Sequence, residues 1–248
     1  MIVCDIDGCL TPGKGKSLNL GALAAVRHFN CESKIQKNVP PITLCSGRSL
    51  SYVEAMMHAI DGYLPAISEN GAVLYYPIED DYRLNPLITP QIPQIKKQMA
   101  FVKNVIHKEI IDPFKARFEC GKEFVISINP PPDVLIENFF KIVQDCLIEQ
   151  RIDMNITHSA GAIDITPPGI DKFSGLQILL ETLEIVPADV AGIGDTSGDF
   201  PVLKKVGFSA APANATSEVK QIVDYVSDFE NGNGVIDIIK HCILLNQS

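Results

Sequence analysis

The chain has no run of lysine and arginine of the kind that tracks a phosphate backbone: 21 basic residues stand against 30 acidic ones, a net charge of −9. Nucleic acid is therefore not an expected partner. No apolar stretch reaches membrane-spanning length, so no membrane is expected, and the N-terminus lacks a charged segment followed by an apolar core and a cleavage site. The expected location is the cytoplasm. No Cys or His cluster stands at zinc-ligand spacing. The seven cysteines, at 4, 9, 31, 45, 120, 146 and 242, are odd in number and scattered through apolar segments. Buried thiols in a reducing compartment fit that pattern better than a disulfide framework. Zinc is set aside, although Cys4 and Cys9 flank two aspartates.

What the chain does have is material for a core. Hydrophobic residues make up 46% of 248 and charged residues 21%, a globular composition sized for one large domain or a domain with an insertion. Strand-like and helix-like stretches alternate from the start. "MIVCD" reads as a buried strand, 19–29 as a helix, 40–46 as a strand and 49–60 as a helix. Residues 64–76 read as a hairpin turning at Asn70-Gly71. The pattern then changes to helix-strand-strand, twice: a helix over 92–110 with strands 115–119 and 123–129, then a helix over 133–150 with strands 153–159 and 162–166 that turn at Ala160-Gly161. From 167 the alternation resumes, with a helix over 172–184, a strand over 188–194 and a helix near 199–206. A strand over 207–212 and a helix over 216–223 follow. "NGNG" (231–234) reads as a turn before a last helix near 235–245. The expected fold is α/β: a doubly wound, Rossmann-like parallel-sheet core (1–79 and 167–248) interrupted by an inserted α+β cap domain (80–166).

Ligands of open parallel sheets sit at the carboxyl ends of the strands. There the first strand delivers Asp5 and Asp7, the 40–46 strand delivers Ser46, Gly47 and Arg48, and the 188–194 strand delivers Asp195 and Asp199. Lys172 opens the helix that follows the insertion. Two carboxylates at i and i+2 project to the same side of an extended backbone. With two more acids converging, such a cluster of hard oxygens calls for a divalent cation, for which Mg²⁺ is suited. Mg²⁺ and Lys172 would offset repulsion between a carboxylate nucleophile and a phosphate, while Ser46 and the Gly47 N–H suit phosphate oxygens. One Asp attacking phosphorus and the other protonating the departing alkoxide gives phosphoryl transfer through an aspartyl-phosphate.

These motifs, "DIDGCL", "CSGRS", "PGIDKFSGL" and "GIGDTSGDFPVL", resemble the four motifs of the haloacid dehalogenase-like phosphatase superfamily, in order. The chain is similar in particular to its type IIB, Cof-like group, whose α/β cap lies between the second and third motifs; "SENGA" (68–72) and 211–227 also look like that group. The resemblance implies Asp5 as nucleophile, Asp7 as general acid/base, and Ser46 and Gly47 as phosphate ligands. It implies a Mg²⁺ held by the Asp5 side chain, the Asp7 carbonyl and the acidic motif of Asp195 and Asp199. Cys9 stands where the group often has Thr, and Gly198 where it commonly has Asn, with Asn214 as a candidate substitute.

The expected activity is a Mg²⁺-dependent phosphatase acting on a small phosphorylated metabolite, a sugar phosphate or a phosphoglycolate-like monoester. Alternatives are a phosphomutase, a catalytically silent binding module, and a nucleotide-sugar transferase. The last leaves Lys172 and the fourth motif unexplained. Arg48 reads equally well as a substrate ligand or as the partner of a core carboxylate. Glu69 and Asn70 read as hairpin structure, and Lys115, Arg117, Lys122 and His158 as solvated cap charges.

Overall fold

The computed structural model describes residues 1–159 and 161–247, so Ala160 of the expected 160–161 turn lies outside the described residues. The chain begins with a wholly buried strand β1 (Ile2–Cys4), helix α1 (Leu20–Ser33), strand β2 (Ile42–Leu44) and helix α2 (Leu50–Ala59). Asn19 starts α1 by accepting the Ala22 N–H on its side chain, one of the donors a helix N-terminus leaves unpaired. The hairpin follows as β3 (Ala66–Ser68) and β4 (Val73–Tyr76), with Glu69–Gly71 as its tight turn. An unexpected strand, β5 (Asp81–Leu84), pairs antiparallel with β4, so the hairpin sheet has three strands and runs past residue 79. At four mostly exposed residues, β5 is too short for the alternation of Tyr82 and Leu84 to mark it as a strand.

Next come α3 (Ile92–Ile106), a five-residue π turn (His107–Ile111), α4 (Asp112–Phe114), β6 (Arg117–Phe118) and β7 (Ile126–Asn129). The strand expected from 115 starts only at 117, because Lys115 is left-handed with φ 59°. Then follow α5 (Ile136–Glu149), β8 (Asn155–His158) and β9 (Ile163–Thr166). These strands form an antiparallel sheet in the order β6-β7-β9-β8. Phe124, Ile128, Phe139, Val143 and Ile165 bury themselves between it and the helices α3 and α5, making a core of its own.

The chain returns as α6 (Lys172–Leu183), β10 (Ala191–Ile193), α7 (Phe200–Leu203), β11 (Phe208–Ala211), α8 (Ser217–Lys220), β12 (Tyr225–Val226) and α9 (Asn231–Leu245). All five strands of the main sheet are parallel, in the order β12-β11-β10-β1-β2. From β1 the chain winds outward to β2, then comes back to β10 on the other side of β1. The order reverses between β1 and β10, which opens a crevice at their carboxyl ends. Among the described residues, no helix is long and apolar enough to cross a membrane.

The "NGNG" stretch is not a turn but the first turn of α9. A Cβ on Gly232 would lie 2.5 Å from the Ala22 Cβ and 2.9 Å from the Leu10 carbonyl oxygen, so these glycines admit α1 and the β1 loop rather than bend the chain. Gly232→Ala is expected to destabilise the protein by about 1–3 kcal/mol through overpacking, measured as a lowered urea midpoint at unchanged slope.

Candidate active site

Lys172 is placed by the start of α6, where Asp171 and Ser174 form a reciprocal capping box. Its Nζ donates to Asp5 Oδ1 at 2.8 Å and to Asp199 Oδ1 at 2.6 Å, and all three residues are buried. Burial opposes the lysine's charge, but Asp199 and Asp5 outweigh it and hold the pKa well above the ordinary lysine value. The other oxygen of Asp199 accepts the backbone N–H of Asp195 at 3.0 Å and of Thr196 at 3.2 Å. Both Asp199 oxygens are thus committed to orienting Lys172 and the Asp195 loop.

Asp195 is different. Its Oδ1 is buried without a hydrogen-bond partner in a structure whose other buried side-chain N and O atoms, among the described residues, are paired. Asp5, Cys9 and Asp195 each bring a ligand atom within 4.8 Å of the others. Burial, reinforced by the Asp199 charge, pushes Asp195 up to about 9. The same desolvation, partly offset by Lys172, pushes Asp5 up to about 7. The chain can bring Asp195 this close to the first strand only because residue 8 is glycine. Gly8 has φ +81°, and a Cβ there would lie 1.9 Å from Asp195 Oδ2. Asn214 donates to the Gly8 carbonyl at 2.8 Å and accepts the Asn231 N–H at 2.7 Å, so it clamps this loop to the start of α9.

Ser46 follows β2, its N–H bonded to the Ile67 carbonyl at 2.9 Å. Gly47 has no room for a side chain: a Cβ would sit 2.8 Å from both Asn70 Oδ1 and Asp164 Oδ2. Arg48 forks onto Asp7, Nε to Oδ2 at 2.6 Å and Nη2 to Oδ1 at 2.5 Å, and lies over the Tyr52 ring at 4.7 Å. Of its two sequence readings, the structure thus displays the pairing with a carboxylate.

A roof from the inserted sheet closes the crevice. The Lys122 side chain is largely covered, donating to Glu119 Oε2 at 2.9 Å and to Ser127 Oγ, with Asp164 Oδ1 at 3.6 Å. Asn70 donates to Asp164 Oδ2 at 3.0 Å, and Glu69 accepts the N–H groups of Glu123 and Phe124, so the hairpin turn grips the inserted sheet. Lys14, from the loop after β1, pairs with Glu119 and donates to Asn129 at 3.3 Å. Burial and the nearby Lys122 charge lower its pKa to about 8. His158 also faces the cavity, and a Cβ on Gly198 would lie 3.4 Å from the His158 carbonyl oxygen. The space beneath the roof is about 40 Å³, room for a few water molecules, and a hollow of about 420 Å³ that shares Asp7 and Lys14 with it reaches Asp195.

Lys122 and His158, read from sequence as solvated charges, therefore line the cavity, whereas Lys115 and Arg117 are exposed and do not. Lys14 and Asp164 were missed altogether. For Asp164 a signal existed, a lone acid in the otherwise apolar strand "AIDIT". For Lys14, between two glycines in a loop, none did.

Carboxylates gathered around Lys172 at the switch point of a parallel sheet, beneath an inserted antiparallel sheet, define a doubly wound α/β protein with its site at the carboxyl edge of the sheet. The chain belongs to the haloacid dehalogenase-like hydrolases, whose family model matches residues 2–129 and 131–239. The phosphoglycolate phosphatase of Methanopyrus kandleri is 29% identical over 240 residues, covering 97% of this chain and 95% of that one. The phosphoglycolate phosphatase of Methanothermobacter thermautotrophicus is 29% identical over 242 residues, covering 96% of each. Among solved structures, a Thermoplasma acidophilum protein superposes with a TM-score of 0.72 at 21% identity, over 98% of this chain and 97% of that one.

Proposed function

We propose that the protein is a Mg²⁺-dependent phosphatase of the cytoplasm that hydrolyses a small, phosphoglycolate-like phosphomonoester, with the inserted segment that follows β5, residues 85–166, acting as the cap. The observation that carries the reading is the meeting of Asp5 with Lys172 and with an unpartnered Asp195 oxygen at one sheet edge. Those hard oxygen donors fit a divalent cation, which Asp5 and Asp195 would hold with the Asp7 carbonyl. When bound, the cation would supply charge neutralisation for the incoming phosphate.

In this mechanism the Asp5 carboxylate attacks phosphorus as the bond to the leaving oxygen breaks, giving an aspartyl-phosphate. Asp7, released from its fork with Arg48, gives its proton to the leaving alkoxide, then takes one from the water that hydrolyses the intermediate. Free Asp5, inorganic phosphate and the alcohol result. Lys172 and the Ser46 and Gly47 groups hold the phosphate oxygens, Asp199 keeps Lys172 and Asp195 in position, and Arg48 turns from Asp7 to the substrate. Five buried cysteines and an absence of disulfides among the described residues favour a reducing compartment.

Two facts favour a small acidic substrate. Lys122 and Lys14, rather than an aromatic platform, line the pocket with Asp5 and Asp7, and both relatives named above bear the phosphoglycolate phosphatase name. The test is phosphate release from a panel of monoesters with and without Mg²⁺. We expect metal-dependent release with phosphoglycolate ahead of neutral hexose phosphates by about tenfold or more in kcat/KM, the scale of one net hydrogen bond. No release from any ester, or phosphoryl migration on hexose phosphates in its place, would overturn the reading.

A further inference from the structure

The third member of the cluster around Asp195 has no part in the hydrolysis. Cys9 is fully buried one residue after the Gly8 turn, and its sulfur shares the 4.8 Å cluster with carboxylate oxygens of Asp5 and Asp195. Asp195 contributes to that cluster while keeping a buried oxygen without a partner. No pair of cysteines or histidines at zinc spacing exists locally. The fold assembles a donor set from positions nearly two hundred residues apart.

A set of two carboxylates and one thiol discriminates between kinds of ion. Hard Mg²⁺ takes oxygen donors and leaves sulfur aside, whereas Zn²⁺ and Cd²⁺ gain from a thiolate. Tetrahedral bonds of about 2.0–2.3 Å put ligand atoms roughly 3.3–3.8 Å apart. A cluster within 4.8 Å therefore closes on such an ion with side-chain adjustments of about an ångström or less per ligand.

We propose that Asp5, Cys9 and Asp195 form a site for a thiophilic divalent ion, Zn²⁺ or Cd²⁺, that overlaps the Mg²⁺ position and excludes Mg²⁺ when filled. On binding, the Cys9 thiol loses its proton to solvent as the metal–sulfur bond forms. The ion, drawn towards the sulfur, displaces the Mg²⁺ that would neutralise the incoming phosphate, and turnover stops. Only this last consequence rests on the proposed phosphatase reading; the binding does not.

The test is a Cd²⁺ titration followed by the ultraviolet thiolate-to-cadmium absorption, against a background kept low because the chain has no tryptophan. Cys120, the exposed thiol, is replaced by Ser throughout. We expect one Cd²⁺ per chain with a thiolate band that excess Mg²⁺ displaces. Cys9→Ser should remove the band and weaken Cd²⁺ by about 100-fold or more, the scale of losing a soft ligand, with Mg²⁺ affinity by calorimetry within about threefold. Cys9→Ala serves as the second variant should Ser be poorly tolerated. Asp195→Asn, which keeps the thiol, should also lose tight binding. An unchanged band in the Cys9 variants, full Cd²⁺ affinity in Asp195→Asn, or equal losses of Mg²⁺ and Cd²⁺ affinity on replacing Cys9 would each overturn the site. With turnover established, Zn²⁺ should inhibit the parent protein reversibly on chelation and spare the Cys9→Ser variant.

Discussion

Asp5→Asn is expected to reduce phosphate release by roughly 10⁴-fold or more at saturating Mg²⁺, since an amide cannot form the acyl phosphate. Its effect on the fold runs the other way. Burial, opposed by Lys172 and reinforced by Asp199, raises Asp5 to about 7 from its ordinary value of 3.8. Between those two pH values the metal-free native state binds more protons than the unfolded chain. Stability is therefore present at low pH and is lost as pH rises through 7. Removing the titrating group removes that loss. The Tm of the metal-free Asp5→Asn protein at pH 8 should equal or exceed that of the parent, and the parent should decline more steeply between pH 4 and pH 7. A variant that keeps more than about a tenth of parental turnover would rule out Asp5 as nucleophile.

Lys172→Met should damage both activity and fold. The ammonium is the shared partner of Asp5 and Asp199, each within 2.8 Å, and all three groups are buried. Methionine matches the stem but leaves two carboxylates facing each other without a counter-charge, a loss of about 3–5 kcal/mol for breaking a buried ion pair. Urea midpoints measured without Mg²⁺ should show that loss, and added Mg²⁺ should recover part of it by neutralising Asp5. Phosphate release should fall by about 10²–10³-fold, the scale of removing one electrostatic stabiliser of the transferring group. A destabilisation below about 1 kcal/mol would mean that Lys172 is not what balances these carboxylates.

The four motif segments were legible because each is a local pattern. A buried strand ending in "DIDG" or "GIGD" carries its own periodicity and its own stop, and parallel strands must present their carboxyl ends at one edge. Those patterns bring Asp5, Asp7, Ser46, Gly47, Arg48, Lys172, Asp195 and Asp199 to one edge of the sheet. The glycines of "NGNG" were misread because a turn and a close approach both call for a missing side chain. Only the presence of Ala22 and Leu10 against α9 separates the two. Strand β5 was passed over because its pairing with β4, not its own side chains, makes it a strand.

The sequence by itself determined the fold class and the sheet edge at which the acidic residues gather, since both follow from residue order along short segments. The tertiary structure alone decided how those groups are divided. It gave both Asp199 oxygens to Lys172 and two backbone N–H groups and left one of Asp195 unpartnered. It also forked Arg48 onto Asp7, brought Cys9 into the carboxylate cluster, and lined the cavity with Lys122, Lys14 and Asp164. Periodicity records which face of its own element a side chain takes. Which charge it meets there depends on elements about a hundred residues away or more, whose approach is set by the packing of separate cores.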